Sequence, residues 1–479
     1  MTAPLADDDV DLADRRVCAS CVGEAYLRGR ILREGTPGEC HYCQQDDPAV
    51  PLATFAAWLE LAMDQHFVCT ASEPDGFEYA MMKDPEGSYS WERGGEPAAD
   101  VLGYSASIEE RLAADVCEQL DEKFDTFDAA MSGEETPYGG DAHYSRVRPD
   151  DESLHRDWVD FEQSLKAEAR FFNSKASHVL QHVFGAIDSL RTKENQPVVR
   201  HFGPGEPVDH LFRGRVFQSD TKLEAALEKP VEDLGPPPTA LARAGRMNAA
   251  GVSVFYGALD VGTAISEIRP PTGSRVVVAR FDIIRPLRLL DVERLRSVFV
   301  GNGSLFDPTY ADRLRQAQFL TTVGRRIERP VMPDDEPFEY LPTQALADFL
   351  ASADGPDLDG IVYGSAQSEG DELNVVLFHK AARVESLGLP RGAKIGSGLG
   401  HWSEDGFEVN YHVHVDMPDP TIPISVDYHS SSVVVPDTRI AALRIDRHSM
   451  RVHDIMPRKV PTTEYVIGWH EEVTKPAKF

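Results

Sequence analysis

Residues 243–267 read RAGRMNAAGVSVFYGALDVGTAISE, and the rest of the chain is organised around this stretch. A basic, glycine-bearing turn carrying Arg246 and Asn248 leads into the apolar run VSVFY, read as a strand that ends in Tyr256. Glu267 then closes a segment of helical character. The layout sets an arginine, an aromatic ring and a carboxylate near one edge of a sheet. That trio suits a phosphate-bearing, flat, cation-forming ligand.

Working outward, the chain has 479 residues, 42% of them hydrophobic, which is enough for two to four domains with buried cores. Its formal net charge of -31 repels nucleic acid and anionic membrane surfaces, so a generic DNA-binding role is disfavoured. The start, MTAPLADDDVDLADRR, has neither the basic nor the apolar region of a secretion signal, and its first 14 residues are expected to be disordered. No apolar run approaches membrane-spanning length. The expectation is a cytoplasmic protein with reduced thiols, in which cysteine pairs bind metal more often than each other.

Cys18-Ala-Ser-Cys21 and Cys40-His-Tyr-Cys43 are two CxxC knuckles separated by eighteen residues. This spacing fits a closed four-thiolate tetrahedral site for structural zinc, with iron in the same cage as the other choice. His41 lies between ligands and is read as a surface residue, while Cys69 and Cys117 are read as buried apolar fillers. Helical spacing marks residues 53–67, the series Ile108, Leu112, Val116, Leu120, and a stretch from Leu154 to Leu190 that breaks at Asn173-Ser174. The Gly-, Pro- and acid-rich segments 73–100 and 131–153 are expected to be loops.

After a boundary near residue 200, VDHLFRGRVFQSD places Arg213 among apolar residues, where an arginine needs a partner. SRVVVARFDI, LRLLDV, GIVYGS and ELNVVLF read as strands, and 308–324 and EYLPTQALADFLASA as helices. Beyond residue 384 the glycines of IGSGLGHW read as a loop, and YHVHVDM, TIPISVDYHSSSVVVPD and RIAALRID alternate like half-buried strands. His412 and His414 share one strand face and read as strand histidines rather than metal ligands.

The middle third resembles the RES family, whose members are NAD-consuming toxins of bacterial toxin-antitoxin pairs with a fold like ADP-ribosyltransferases. The resemblance rests on LFRGR around Arg213, GRMN at Arg246 to Asn248, the strand ending in Tyr256, AISE ending in Glu267, YLPTQ at Tyr340 to Gln344, DGIVYGS ending in Ser365, and LNVVLF with Asn374. The N-terminal third resembles the zinc-ribbon domains found in front of RES or HEPN effector domains. Met247 stands where family members carry a large aromatic, and an acid- and proline-rich insertion separates Arg213 from Arg246.

An α+β architecture follows: a zinc-ribbon and helical domain over 1–150, a helical connector over 151–200, a mixed α/β RES domain over 201–383 and a β-rich extension over 384–479. The resemblance implies NAD as substrate, with Glu267 stabilising a cation-like ribose. Arg213 and Arg246 would hold phosphates, Tyr256 the nicotinamide ring, and Ser365 the carboxamide or a ribose hydroxyl. Asn248, Tyr363 and Asn374 would shape the pocket. Water or inorganic phosphate would accept the ribosyl group. Two other readings are open, transfer of ADP-ribose to a macromolecule and a zinc-ribbon binding module with a degenerate RES part. An antitoxin protein or the attached domains are the expected restraint, with no membrane partner and no nucleic acid except through the ribbon.

Overall fold

Apolar periodicity decides most of the local structure, and long-range pairing decides the rest. The computed structural model describes residues 11–84, 88–124, 135–329, 331–332, 334–365, 372–390, 392–404, 406–418 and 437–457. The chain divides into two units, Met1–Arg200 with Leu290–Asp357, and His201–Leu289 with Leu358–Phe479. The stretch 201–383, read from the sequence as one domain, therefore supplies residues to both.

In the first unit, β1 (Arg16–Cys18), β2 (Thr36–Glu39) and β3 (Asp46–Pro51) form a sheet in the order β1-β3-β2. The helices Leu52–His66, Ala98–Ala106 and Glu110–Phe124 turn their apolar faces inward, burying Phe55, Leu59, Met63, Val101, Leu112 and Val116. Asp115 also points inward and is satisfied, taking Arg15 Nη1 at 2.5 Å and the Tyr42 hydroxyl at 2.7 Å. This ties the cysteine-bearing sheet to the third helix. Of the acidic start, residues 1–10 lie outside the described residues, whereas Leu12 is buried in a short 3-10 turn instead of being disordered.

Two expected loops hold regular structure. Within 73–100, the helix Gly76–Met82 starts at a capping box in which Asp75 and Glu78 bond each other's backbone N–H. A second sheet, β4-β6-β5, joins β4 (Phe67–Cys69), β5 (Glu96–Pro97) and β6 (His143–Arg146), so part of 131–153 is a strand. Cys69 ends β4 on its exposed side and is not a core filler; Cys117 is half-buried, and burial pushes its thiol up to about 11. The Leu154–Leu190 pattern is a broken pair, helices Glu152–Gln163 and Ser174–Phe184, with Asn173 capping the second through Ala176 N at 3.0 Å. Helices Pro308–Glu328 and Leu341–Ala351 complete the unit, each with proline in its first turn.

The chain passes between units inside β7 (Val199–Phe202) and β11 (Leu287–Asp291). The other strands of the second unit are β8 (His210–Phe217), β9 (Phe255–Ala258), β10 (Arg275–Ile283), β12 (Gly360–Gly364), β13 (Leu373–Leu377), β14 (Lys394–Ser403), β15 (Gly406–Asp416) and β16 (Leu443–Asp454). Eight of these strands form one sheet in the order β16-β10-β8-β9-β13-β12-β11-β7. The Val-rich β10 is buried and pairs on both sides, with β8 from Arg275↔Phe217 to Asp282↔His210 and with β16 from Arg275↔Asp454 to Ile283↔Leu443. The C-terminal extension thus covers what would otherwise be an open edge.

IGSGLGHW is a strand, not a loop. It lies in β14 and pairs with β15, placing Gly396 opposite His414 and Gly398 opposite His412. A Cβ on either glycine would come within 2.4 Å of the facing imidazole, so the glycines make room for the two rings. The run TIPISVDYHSSSVVVPD, but for its last residue, lies outside the described residues.

Candidate active site and metal centre

Strand β8 pairs with β10 along its whole length but meets β9 at one position, Phe212↔Ala258. The ladder does not continue, and Arg213 spans the gap by donating Nη1 to the Tyr256 carbonyl at 2.7 Å. A cavity of about 120 Å³ opens there, walled by Arg213, Tyr256, Glu267, Tyr363 and Asn374 together with Phe212 and neighbouring backbone.

Strand register places these walls. Tyr363 faces Asn374 across β12 and β13, Asn374 faces Ala258 across β13 and β9, and Ala258 faces Phe212, so one row crosses four strands. Alternation along β9 puts Tyr256 on the same face as Ala258. Two residues after β9, Asp260 accepts from Thr263 N at 2.9 Å and starts the helix Val261–Glu267. Gly214 lets that helix approach, since a Cβ there would meet the Ala264 carbonyl at 3.0 Å.

Glu267 is the last residue of this helix. Its Oε1 accepts from Ser365 Oγ at 2.6 Å and from Asn374 Nδ2 at 2.7 Å. Among the described residues nothing donates to Oε2, which leaves one carboxylate oxygen fixed and the other available. Two short hydrogen bonds to an ionised acceptor hold its orientation more firmly than neutral bonds would.

Arg213 lies half-buried, with Cζ 5.1 Å from the Phe255 ring centre. Burial pulls its pKa down to about 10, so it stays charged near neutrality. Its Nε is buried without a partner among the described residues.

Tyr256 is pinned from behind. Its hydroxyl donates to Asn248 Oδ1 at 2.9 Å and accepts from Met247 N at 3.2 Å. Asn248 is 4% exposed and spends its amide nitrogen on the carbonyls of Arg243, Ala249 and Val252 at 2.8, 3.1 and 3.0 Å. Asn248 therefore reaches the cavity only through Tyr256. A Cβ on Gly245 would lie 2.7 Å from the Tyr256 hydroxyl and 2.8 Å from Asn248 Oδ1, which is why this turn carries glycine.

The residues named from the sequence thus separate. Arg213, Tyr256, Glu267, Tyr363 and Asn374 wall one cavity, and Ser365 bonds to its carboxylate. Arg246 sits on the turn behind Tyr256 and is not one of the walls. Tyr340 and Gln344 belong to the first unit. Sequence reasoning passed over Phe212, Gly214 and the bracket made by Asn248; the glycines inside LFRGR and RAGRMN were the signals for close backbone approach.

The four knuckle thiols converge as well. Sγ separations are 3.7 Å for Cys18–Cys21, 3.5 Å for Cys18–Cys43 and 3.7 Å for Cys21–Cys40, and all four lie within 4.8 Å of one another. A tetrahedral ion with bonds of about 2.3 Å spaces its sulfurs about 3.8 Å apart, so the residues fit a metal ion without rearrangement. His41 stands outside the cluster, with its Nε2 3.5 Å from Arg111 Nη2.

Residues 215–391 match the family model described as RES domain. The match begins two residues past Arg213, and it does not reach the cysteine-bearing sheet. No curated protein and no solved structure matches the chain. Glu267, Ser365 and Asn374 all lie within the stretch that matches this family model.

Proposed function

We propose that the Glu267 cavity breaks the bond between nicotinamide and ribose in NAD, and that the protein is an NAD-degrading effector of the toxin-antitoxin or phage-defence kind. One observation carries this reading. Within the RES segment, a carboxylate oriented by Ser365 and Asn374 shares a small cavity with an arginine and a tyrosine.

Breaking that bond sends its electron pair to nicotinamide and leaves positive charge on the ribose. A fixed carboxylate stabilises this charge more than it stabilises the substrate, which is the condition for acceleration. Because one Glu267 oxygen is already held, the other is the natural partner for the ribose. The cavity's volume of about 120 Å³ is below the roughly 300–1,000 Å³ of a complete ligand site. It suits the nicotinamide end, with the remainder of the dinucleotide outside it.

Tyr256 gives the leaving pyridinium an aromatic face. Arg213, and Arg246 from the adjoining turn, would neutralise the diphosphate with paired N–H donors. Ser365 donates its O–H to Glu267 and so orients the carboxylate. Water or inorganic phosphate then bonds to the ribose carbon and gives up a proton.

The four thiolates would hold zinc in a closed site that supplies folding energy and no chemistry. Restraint by an antitoxin or by the attached unit accounts for how a cell tolerates such an enzyme. NAD labelled in its adenylate half tests the acceptor. Free ADP-ribose supports hydrolysis and a phosphorylated ribose supports phosphorolysis. Label retained on a macromolecule would replace degradation by transfer.

A further inference from the structure

The first unit contains a cavity of about 750 Å³ that the Glu267 chemistry does not use. It is lined by Arg146 at the end of β6, by Arg148 just beyond it, and by Arg325 in the last turn of the helix Pro308–Glu328. None of the three makes a salt bridge or a side-chain hydrogen bond among the described residues, and no carboxylate lines the cavity. All three are exposed, and in a chain with 79 acidic and 48 basic side chains they set a local positive field over one hollow, which favours an anion there.

A second feature is independent of those charges. His66, the last residue of the helix Leu52–His66, is 1% exposed, lines the same cavity, and has an Nε2 with no partner among the described residues. Its ring lies 6.1 Å from the Tyr310 ring. A buried nitrogen left unbonded costs free energy that a ligand hydroxyl or amino group would recover. The rest of the wall is mixed, with the rings of Tyr310 and Phe299, the latter half exposed, beside the polar Asn302, Gln318, Thr321 and Thr322.

Cations, two aromatic rings and one isolated acceptor match a molecule that has a phosphate, a flat apolar part and a hydroxyl or amine. The volume falls within the range of small-molecule sites. We propose that this cavity is a second ligand site, built for a phosphate-bearing, nucleotide-like small molecule and separate from the RES cavity.

Calorimetric titration of the full chain carrying Glu267→Gln, with AMP, adenosine and inorganic phosphate as probes, tests this. AMP is expected to bind, adenosine and phosphate each at least tenfold more weakly. The double variant Arg146→Ala with Arg325→Ala is expected to weaken AMP at least tenfold with an unchanged melting temperature. If that pair melts early, Arg148→Glu, at an exposed position outside any strand or helix, gives the same reading. Absence of AMP binding, equal binding by the variants, or phosphate binding as tightly as AMP would overturn the proposal.

Discussion

Ser365 and Glu267 are 98 residues apart in the chain and 2.6 Å apart in space, with the serine hydroxyl donating to the carboxylate. Asn374, 107 residues from Glu267, adds a second donor to the same oxygen at 2.7 Å. The carboxylate thus owes its aim to the β12–β13 hairpin, not to its own helix.

Removing one donor loosens that aim without removing the charge. A hydrogen bond to an ionised group is worth about 1.5–3 kcal/mol, so Ser365→Ala is expected to lower kcat for NAD about 10- to 100-fold. The effect on KM should be smaller, because the cavity walls stay in place. Steady-state kinetics beside a thermal melt check this; an unchanged kcat would mean that Ser365 is a bystander.

Asn248 supports Tyr256 without touching the cavity. Asn248→Ala removes the side-chain donor to the carbonyls of Arg243, Ala249 and Val252 and the acceptor of the Tyr256 hydroxyl. The expected cost is about 1–3 kcal/mol in urea unfolding, together with a raised KM. A variant as stable as the parent would contradict the bracket.

Much of this was legible in the sequence, and the exceptions share a cause. Helical spacing, the CxxC pairs and the Val-rich β10 are local signals, and Glu267, Ser365 and Asn374 stood in a recognisable order. The strand through Gly396 and Gly398 was hidden because its glycines answer His414 and His412 on another strand. The pairing of β16 with β10 and the placement of 290–357 beside the first 200 residues are likewise long-range choices. Because residues 290–357 share a unit with the first 200, a deletion of residues 1–200 would cut through that unit. The helix at 76–82 could have been read from Asp75 and Glu78, a capping pair inside an otherwise loop-like composition.

Metal should be part of the folded first unit. Elemental analysis is expected to find a single zinc per chain, lost in Cys40→Ser and on chelation, with a lower urea midpoint in both cases. Full retention of stability after complete metal removal would make the four thiols an ordinary buried cluster.

Acid should weaken the first unit through His66. Burial, and then Arg146 and Arg315, hold its pKa below the ordinary value of 6.5, while the Leu305 backbone opposes them. The unfolded chain therefore binds the proton first, and stability present above about pH 6.5 is lost as pH falls towards the depressed value. Urea unfolding between pH 7.5 and 5.5 should show wild type losing stability faster than His66→Gln. Parallel pH profiles would refute the assignment.

The most direct measurement is a chromatogram of NAD incubated with the wild-type chain and with Glu267→Gln, which keeps the shape of the side chain and removes its charge. Free nicotinamide with the wild type and none above background with the variant is the predicted result. Equal release by both proteins would contradict the role given to Glu267.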